Sequence, residues 1–136
     1  MTARRQTVAI VDDHASFRHT ATRLLTMLGY SVLFEAPNGM VLLQKLEGCS
    51  SLPDFCLLDI EMPVMDGIVT ARLLRERFPE IKIVACTLGN NEARKASMLQ
   101  AGVHGFLLKH MEPEEMKTAI EQALTGQAAD HFTNPL

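Results

Sequence analysis

The sequence has no tryptophan, one tyrosine and only 5% aromatic residues in all. Any core it builds is therefore aliphatic, and a hydrophobic share of 47% against 21% charged residues describes a soluble folded chain, not a disordered one. Cysteines are few. Cys49, Cys56 and Cys86 are odd in number and lack paired metal-ligand spacing, which argues for reduced thiols and against a zinc site. The five histidines are scattered and suggest no ligand cluster. No apolar run approaches the ~20 residues of a membrane span, and Met1 to Gln6 lacks the apolar stretch of a signal peptide. The expected location is the cytoplasm, with no membrane partner. A formal charge of -3 leaves no basic footprint for nucleic acid. Internal repeats and low-complexity tracts are absent, and 136 residues is the length of one domain.

What the chain does contain is an alternation of short apolar runs and longer helical patterns. Residues 7–11 form a strand pattern ending in Asp12-Asp13. Residues 15–28 carry Phe17, Ala21, Leu24, Leu25 and Leu28 at helical spacing, and Gly29 closes them. Residues 31–34 read as a second strand, the Pro37-Asn38-Gly39 run as a turn, and residues 40–46 as a helix closed by Gly48. The apolar run 55–58 is the central strand, followed by a helix from about Gly67 to Phe78 that Pro79 terminates. A fourth strand spans 81–86. The helical stretch 90–101 has a thin apolar face of Ala93, Ala96, Met98 and Leu99, and such weakly anchored elements are able to move. Residues 103–108 form a fifth strand before a last helix that starts at Pro113 and buries Met116, Ala119, Ile120, Ala123 and Leu124. The domain is expected to end near residue 126, with 127–136 a loosely held tail or the start of a linker.

Five strands alternating with five helices predict a doubly wound α/β sheet, because parallel pairing needs crossovers and the helices provide them. In such a sheet every strand delivers its C-terminal end to the same edge, where chemistry is presented. Asp12-Asp13 follow the first strand, Asp59 the third, Thr87 the fourth and Lys109 the fifth. Each alone is explained by a turn cap or a solvated loop; four at four strand ends are much harder to dismiss. Converging carboxylates repel unless a cation neutralises them, and hard oxygen ligands with room for water suit Mg²⁺, or Mn²⁺. Asp59 is then a carboxylate nucleophile able to form an acyl phosphate. Lys109 and the Thr87 hydroxyl would stabilise charge on the phosphoryl oxygens.

These residues resemble the receiver domain of two-component response regulators over about Thr7 to Gly126. Asp12-Asp13 is similar to the family's acidic pair, and Asp59 with Met62-Pro63 and Asp66-Gly67 to its phosphoacceptor signature. Thr87 resembles the switch hydroxyl, and the run from Gly102 to Lys109 the segment holding the switch aromatic, Phe106, and the lysine. The resemblance implies a flavodoxin-like fold with sheet order 2-1-3-4-5 and helices on both faces. It implies Mg²⁺ held by Asp13, Asp59 and the main-chain carbonyl of Glu61, with Asp12 assisting through water. It further implies a histidine kinase or phosphotransfer protein as donor, self-phosphorylation from small donors and autodephosphorylation. Output would pass through the surface of residues 90–108, to a protein partner or by self-association. The run 107–115 is similar to regulators whose receiver precedes a helix-turn-helix output domain.

Three departures bear on this. His110 stands where the family most often has proline after the lysine, and a trans Lys109–His110 bond is expected, since a cis bond without proline costs roughly 3–4 kcal/mol. Leu88 replaces a small residue after Thr87 and is expected to affect access to the phosphoryl group. Glu61 puts an acid two places after the residue that resembles the phosphoacceptor. The competing functions are a phosphate-independent interaction domain that kept the fold and, less well supported, a small metal-dependent phosphatase using Asp59.

Overall fold

The computed structural model describes residues 4–62, 64–89 and 92–126. In chain order the elements are β1 (Thr7–Val11), α1 (Ala15–Met27), β2 (Ser31–Ala36), α2 (Gly39–Glu47), β3 (Phe55–Asp59), α3 (Gly67–Arg77), β4 (Lys82–Thr87), α4 (Glu92–Ala101), β5 (Gly105–Leu108) and α5 (Pro113–Thr125). The strands form one sheet in the order β2-β1-β3-β4-β5, and all four pairings are parallel. The expected doubly wound sheet in the order 2-1-3-4-5 is therefore the observed one.

The central strand shows why the sheet needs helices on both faces. Every residue of β3 is buried, and alternate side chains point to opposite layers. Cys56 and Leu58 join a core with Leu42, Leu46, Leu74, Met98 and Phe106 beneath α2, α3 and α4. Phe55 and Leu57 join a second core with Leu25, Tyr30, Met116 and Ile120 beneath α1 and α5. Tyr30 packs edge-on to Phe55 with ring centroids 5.4 Å apart, so most of the few aromatic contacts are left to aliphatic neighbours.

Several boundaries differ from the sequence reading. Strand β2 runs on to Ala36, whose carbonyl accepts from the Asp12 amide at 3.1 Å and so ties the β1 exit to its neighbour. Strand β5 begins at Gly105, not 103, because His104 bridges to β4 with its side chain: the Ile83 amide donates to His104 Nδ1 at 3.0 Å, while the His104 amide donates to the Ile83 carbonyl at 2.8 Å. In α4 the expected apolar face is wrong in detail. Met98 and Ala101 are buried and Leu99 packs against the core, whereas Ala93 and Ala96 are exposed, so the apolar anchoring of the helix lies in its C-terminal turns. Residues 90 and 91 of the expected helix, and the expected tail 127–136, lie outside the described residues.

Candidate functional site

The C-terminal edge of the sheet gathers Asp12, Asp13, Asp59 and Lys109. Asp59 is the last residue of β3 and is only 5% exposed, so its carboxylate is enclosed at the sheet's edge. Asp12, just past β1, is 1% exposed. Lys109 Nζ lies 2.6 Å from Asp12 Oδ2 and 3.7 Å from Asp59 Oδ1, bridging two strand ends across the cleft. Its backbone is fixed by a hydrogen bond from the Lys109 amide to the Thr87 carbonyl at 2.8 Å, and its peptide to His110 is trans, as expected.

The loops around these residues are built for the purpose. The Asp12 carboxylate accepts from the His14 amide at 2.8 Å, and Arg18 Nη1 donates to the Asp12 carbonyl at 2.8 Å. Arg18 is itself held by Glu35 Oε1 at 3.2 Å, and Glu35 Oε2 accepts from the Thr22 hydroxyl at 2.9 Å. After β3, Asp66 caps α3 by accepting from the Val69 amide at 3.0 Å. Gly67 then packs so tightly that a Cβ there would sit 2.6 Å from the Asp59 carbonyl oxygen and 2.7 Å from Ile60 Cα. Helix α3 thus starts directly against the backbone of Asp59, and only glycine permits it. Between them Val64 takes a φ of 70°, a left-handed conformation that is strained for a β-branched residue.

The electrostatics follow from burial among like charges. Burial, then the Asp12 charge, push the Asp59 carboxyl up to about 7, against the opposing pull of Lys109 and the Glu61 amide. Burial would lower the Lys109 ammonium, but its hydrogen bond to Asp12 and the charges of Asp59 and Asp12 raise it overall. Lys109 therefore stays cationic, while the Asp59 carboxyl keeps its proton to higher pH than an ordinary aspartate. Burial pushes the neighbouring Cys86 thiol up to about 12, so it remains a neutral part of the floor.

The donor set fits a hard divalent cation. Asp12, Asp13, His14 and Asp59 each offer a ligand atom, all within 4.8 Å of one another. Asp13 Oδ1 is buried and makes no hydrogen bond, with His14 Nδ1 3.3 Å away, so its lone pairs could serve a cation. The Lys109 ammonium pairs with Asp12 and Asp59, and one such cation does not neutralise three carboxylates.

Thr87 ends β4 on the same edge, but no hydrogen bond joins it to Asp59. Its hydroxyl accepts from the Gly89 amide and faces the Gly89 carbonyl, both at 3.3 Å. A cavity of about 340 Å³ lies alongside, lined by Ile60, Glu61, Thr87, Gly89 and Arg94. Glu61 is exposed, with its amide donating to Asp59 Oδ1 at 3.3 Å. Leu88 is 72% exposed. Phe106 is 1% exposed on β5, and Lys95 Nζ lies 6.0 Å from its ring centroid.

Sequence reasoning missed three neighbours of the site. His14 Nδ1 lies 3.4 Å from Asp12 Oδ1 and 3.3 Å from Asp13 Oδ1, so one histidine does join the acidic group. Helical spacing marks Phe17 only as a core position and gives Arg18 no role. Their adjacency to Asp12-Asp13 in sequence was the available signal.

Comparison with known proteins agrees with this geometry. A family model described as the response regulator receiver domain matches residues 8–121. The chain is 38% identical over 123 residues to the nitrate/nitrite response regulator protein NarL of Escherichia coli K12, covering 89% of this chain and 56% of that protein. It is 31% identical to the chemotaxis protein CheY of Thermotoga maritima, covering 85% of this chain and 94% of that one. Among solved structures, the signal receiver domain of the putative response regulator NarL from Mycobacterium tuberculosis superposes with a TM-score of 0.82 at 30% identity, over 91% of this chain and 99% of that chain. The chain thus spans little more than half the length of the NarL relative, but nearly the whole of CheY.

Proposed function

Because the chain belongs to the response regulator receiver domain family of two-component systems, we propose that it is a switch that accepts a phosphoryl group on Asp59. One observation carries this reading: a buried aspartate whose own hydrogen bonds are few and long, flanked by an ammonium and by further carboxylates at a sheet's C-terminal edge. In the reaction an Asp59 oxygen forms a bond to phosphorus as the bond from phosphorus to the donor's nitrogen or oxygen breaks, and the leaving group keeps that electron pair. The donor we infer is a phosphohistidine of a histidine kinase or phosphotransfer protein, with small acyl phosphates as substitutes. Loss of the phosphoryl group to water would be the chain's own reverse step.

Asp13, Asp59 and the Glu61 main-chain carbonyl would hold Mg²⁺, or Mn²⁺, with Asp12 assisting through water. When bound, the ion supplies charge neutralisation for the phosphoryl oxygens. Lys109 exchanges part of its contact with Asp12 for a phosphoryl oxygen. The Thr87 hydroxyl, now turned to Gly89, swings to another. Phe106 is already buried, so the remaining travel lies in α4, whose buried residues are Met98 and Ala101, with Leu99 packed against the core beside them. A ligand-driven shift between two close states would then alter the surface of residues 90–108 for a protein partner or a second copy. No helix among the described residues is long and apolar enough to cross a membrane, which is compatible with action in the cytoplasm. No direct contact with nucleic acid is assigned to this chain, whose net charge is -3.

The test is incubation with acetyl phosphate and Mg²⁺, followed by intact-mass measurement. A gain of one phosphoryl group is expected, absent in Asp59→Asn and suppressed by excess EDTA. Phosphorylation that survives either change rules out this assignment.

A further inference from the structure

Lys109 has a third neighbour that no carboxylate chemistry explains. Phe17, in the first turn of α1, presents its ring face to the ammonium, with the ring centroid 4.4 Å from Lys109 Nζ. That is well inside the ~6 Å over which an aromatic quadrupole attracts a cation, and Lys109 is only 9% exposed, so water screens the contact poorly. The ammonium is thus enclosed by Asp12 Oδ2 at 2.6 Å, Asp59 Oδ1 at 3.7 Å and the Phe17 ring. Phe17 and Lys109 also line a cavity of about 270 Å³ between α1 and α5, shared with Leu24 and Met116. A four-carbon stem beside open space has other rotamers available, and something must hold it in the cleft.

We propose that Phe17 is a positioning residue whose π face holds the Lys109 ammonium at the phosphoryl site. The proposal rests on the reading that Lys109 serves a phosphoryl group on Asp59. The choice of an aromatic has a physical reason. A further carboxylate would bind the ammonium but add repulsion to a site that already carries Asp12, Asp13 and Asp59, whereas a ring attracts the cation without adding net charge. When a phosphoryl group arrives and competes with Asp12 for the ammonium, the ring attracts it in either arrangement. It steadies the cation without choosing between partners.

The competing explanation is that Phe17 merely fills space beside Leu24 and Leu28 in the α1–α5 layer. Phe17→Leu separates the two, because it keeps an apolar side chain and removes the π face, while Phe17→Tyr keeps both. The measurements are the initial rate of Asp59 phosphorylation by acetyl phosphate at saturating Mg²⁺ and the NMR shifts of the Lys109 ε-methylene protons. The expected result for Phe17→Leu is a loss of about two- to five-fold in rate, the size of a weak cation–π contact, with the wild-type fold retained. The upfield ring-current shift of the ε-methylene should vanish in Phe17→Leu, and both readouts should return in Phe17→Tyr. In a Lys109→Ala background Phe17→Leu should change nothing further. A Phe17→Leu rate equal to wild type, an unmoved ε-methylene, or an equal loss in the Lys109→Ala background overturns the proposal. Failure of the wild-type protein to take a phosphoryl group at all would overturn the functional reading instead, and the methylene shifts alone would then decide whether the ring holds the ammonium.

Discussion

Strand β3 is bracketed by two aspartates that meet opposite fates. At its N-terminal end Asp54 is saturated: Oδ2 accepts from the Thr7 amide at 2.8 Å and the Thr7 hydroxyl at 3.1 Å, and Oδ1 accepts from Arg4 at 2.8 Å. Burial raises its pKa, but the Arg4 and Thr7 hydrogen bonds outweigh this and leave it lowered. At the C-terminal end Asp59 has one 3.3 Å hydrogen bond from the Glu61 amide and an ammonium at 3.7 Å shared with Asp12. Its pKa is raised to about 7 by burial and by the Asp12 charge. One residue type on one strand is thus a structural clamp at one edge and an unmet demand at the other. An unmet demand is what makes a carboxylate available for a new bond, and perturbed ionisation concentrates at such places.

The largest effect that would sharpen this contrast is the loss of the clamp. Asp54→Ala removes the acceptor for Thr7 and Arg4 and should cost about 1–3 kcal/mol in urea denaturation, since it strands the part-buried amide and hydroxyl of Thr7. Phosphorylation at Asp59 should continue at the wild-type rate. Equal loss of phosphorylation and stability would show that the two ends are not independent.

The second effect has the opposite sign. A group whose folded pKa of about 7 exceeds its unfolded value of 3.8 favours the fold fully below pH 3.8 and loses that contribution as pH rises through 7. Asp59→Asn, which carries no charge, should therefore be more stable than wild type above pH 7. The gain is on the order of 1–2 kcal/mol once solvent screening is allowed for, closing toward zero near pH 4. Thermal melts of the two proteins across that range decide it. A variant less stable than wild type at pH 8 would break the comparison.

Legibility in the sequence followed the same division. The strand ends were readable because an apolar run that stops at a charge marks where the chain leaves the core, and this located Asp12, Asp59, Thr87 and Lys109. Asp66-Gly67 was readable as a turn, but only the packing of Gly67 on the Asp59 carbonyl shows that it fixes the Asp59 backbone. Arg18 and Phe17 were not readable as site residues, because helical periodicity sorts positions into buried and exposed and says nothing about which distant lysine a ring will meet. The face of α4 was misread for a related reason: Ala93, Ala96, Met98 and Leu99 do not define one stripe, and contact with the sheet selected Met98 and Ala101. The start of β5 was misplaced because a histidine side chain replaces a ladder bond there.

The smallest effect concerns that histidine, at the same quiet edge as Asp54. Burial, with Lys82 and Arg75 nearby, lowers His104 to about 4 from 6.5, and the Ile83 amide occupies its Nδ1. Its neutral form supports the fold fully above pH 6.5, and that support is lost as pH falls toward 4. With the ring half exposed the loss is on the order of 1 kcal/mol, and His104→Gln should flatten that part of the stability profile.

If Asp59 is held unsatisfied while Asp54 is held satisfied, carboxyl ¹³C titration of both aspartates in one sample gives an Asp59 midpoint near 7 that falls when Mg²⁺ is added, beside an Asp54 midpoint below 3.8 that Mg²⁺ leaves unchanged. Two aspartates titrating together in the ordinary carboxylate range, both indifferent to Mg²⁺, would contradict it.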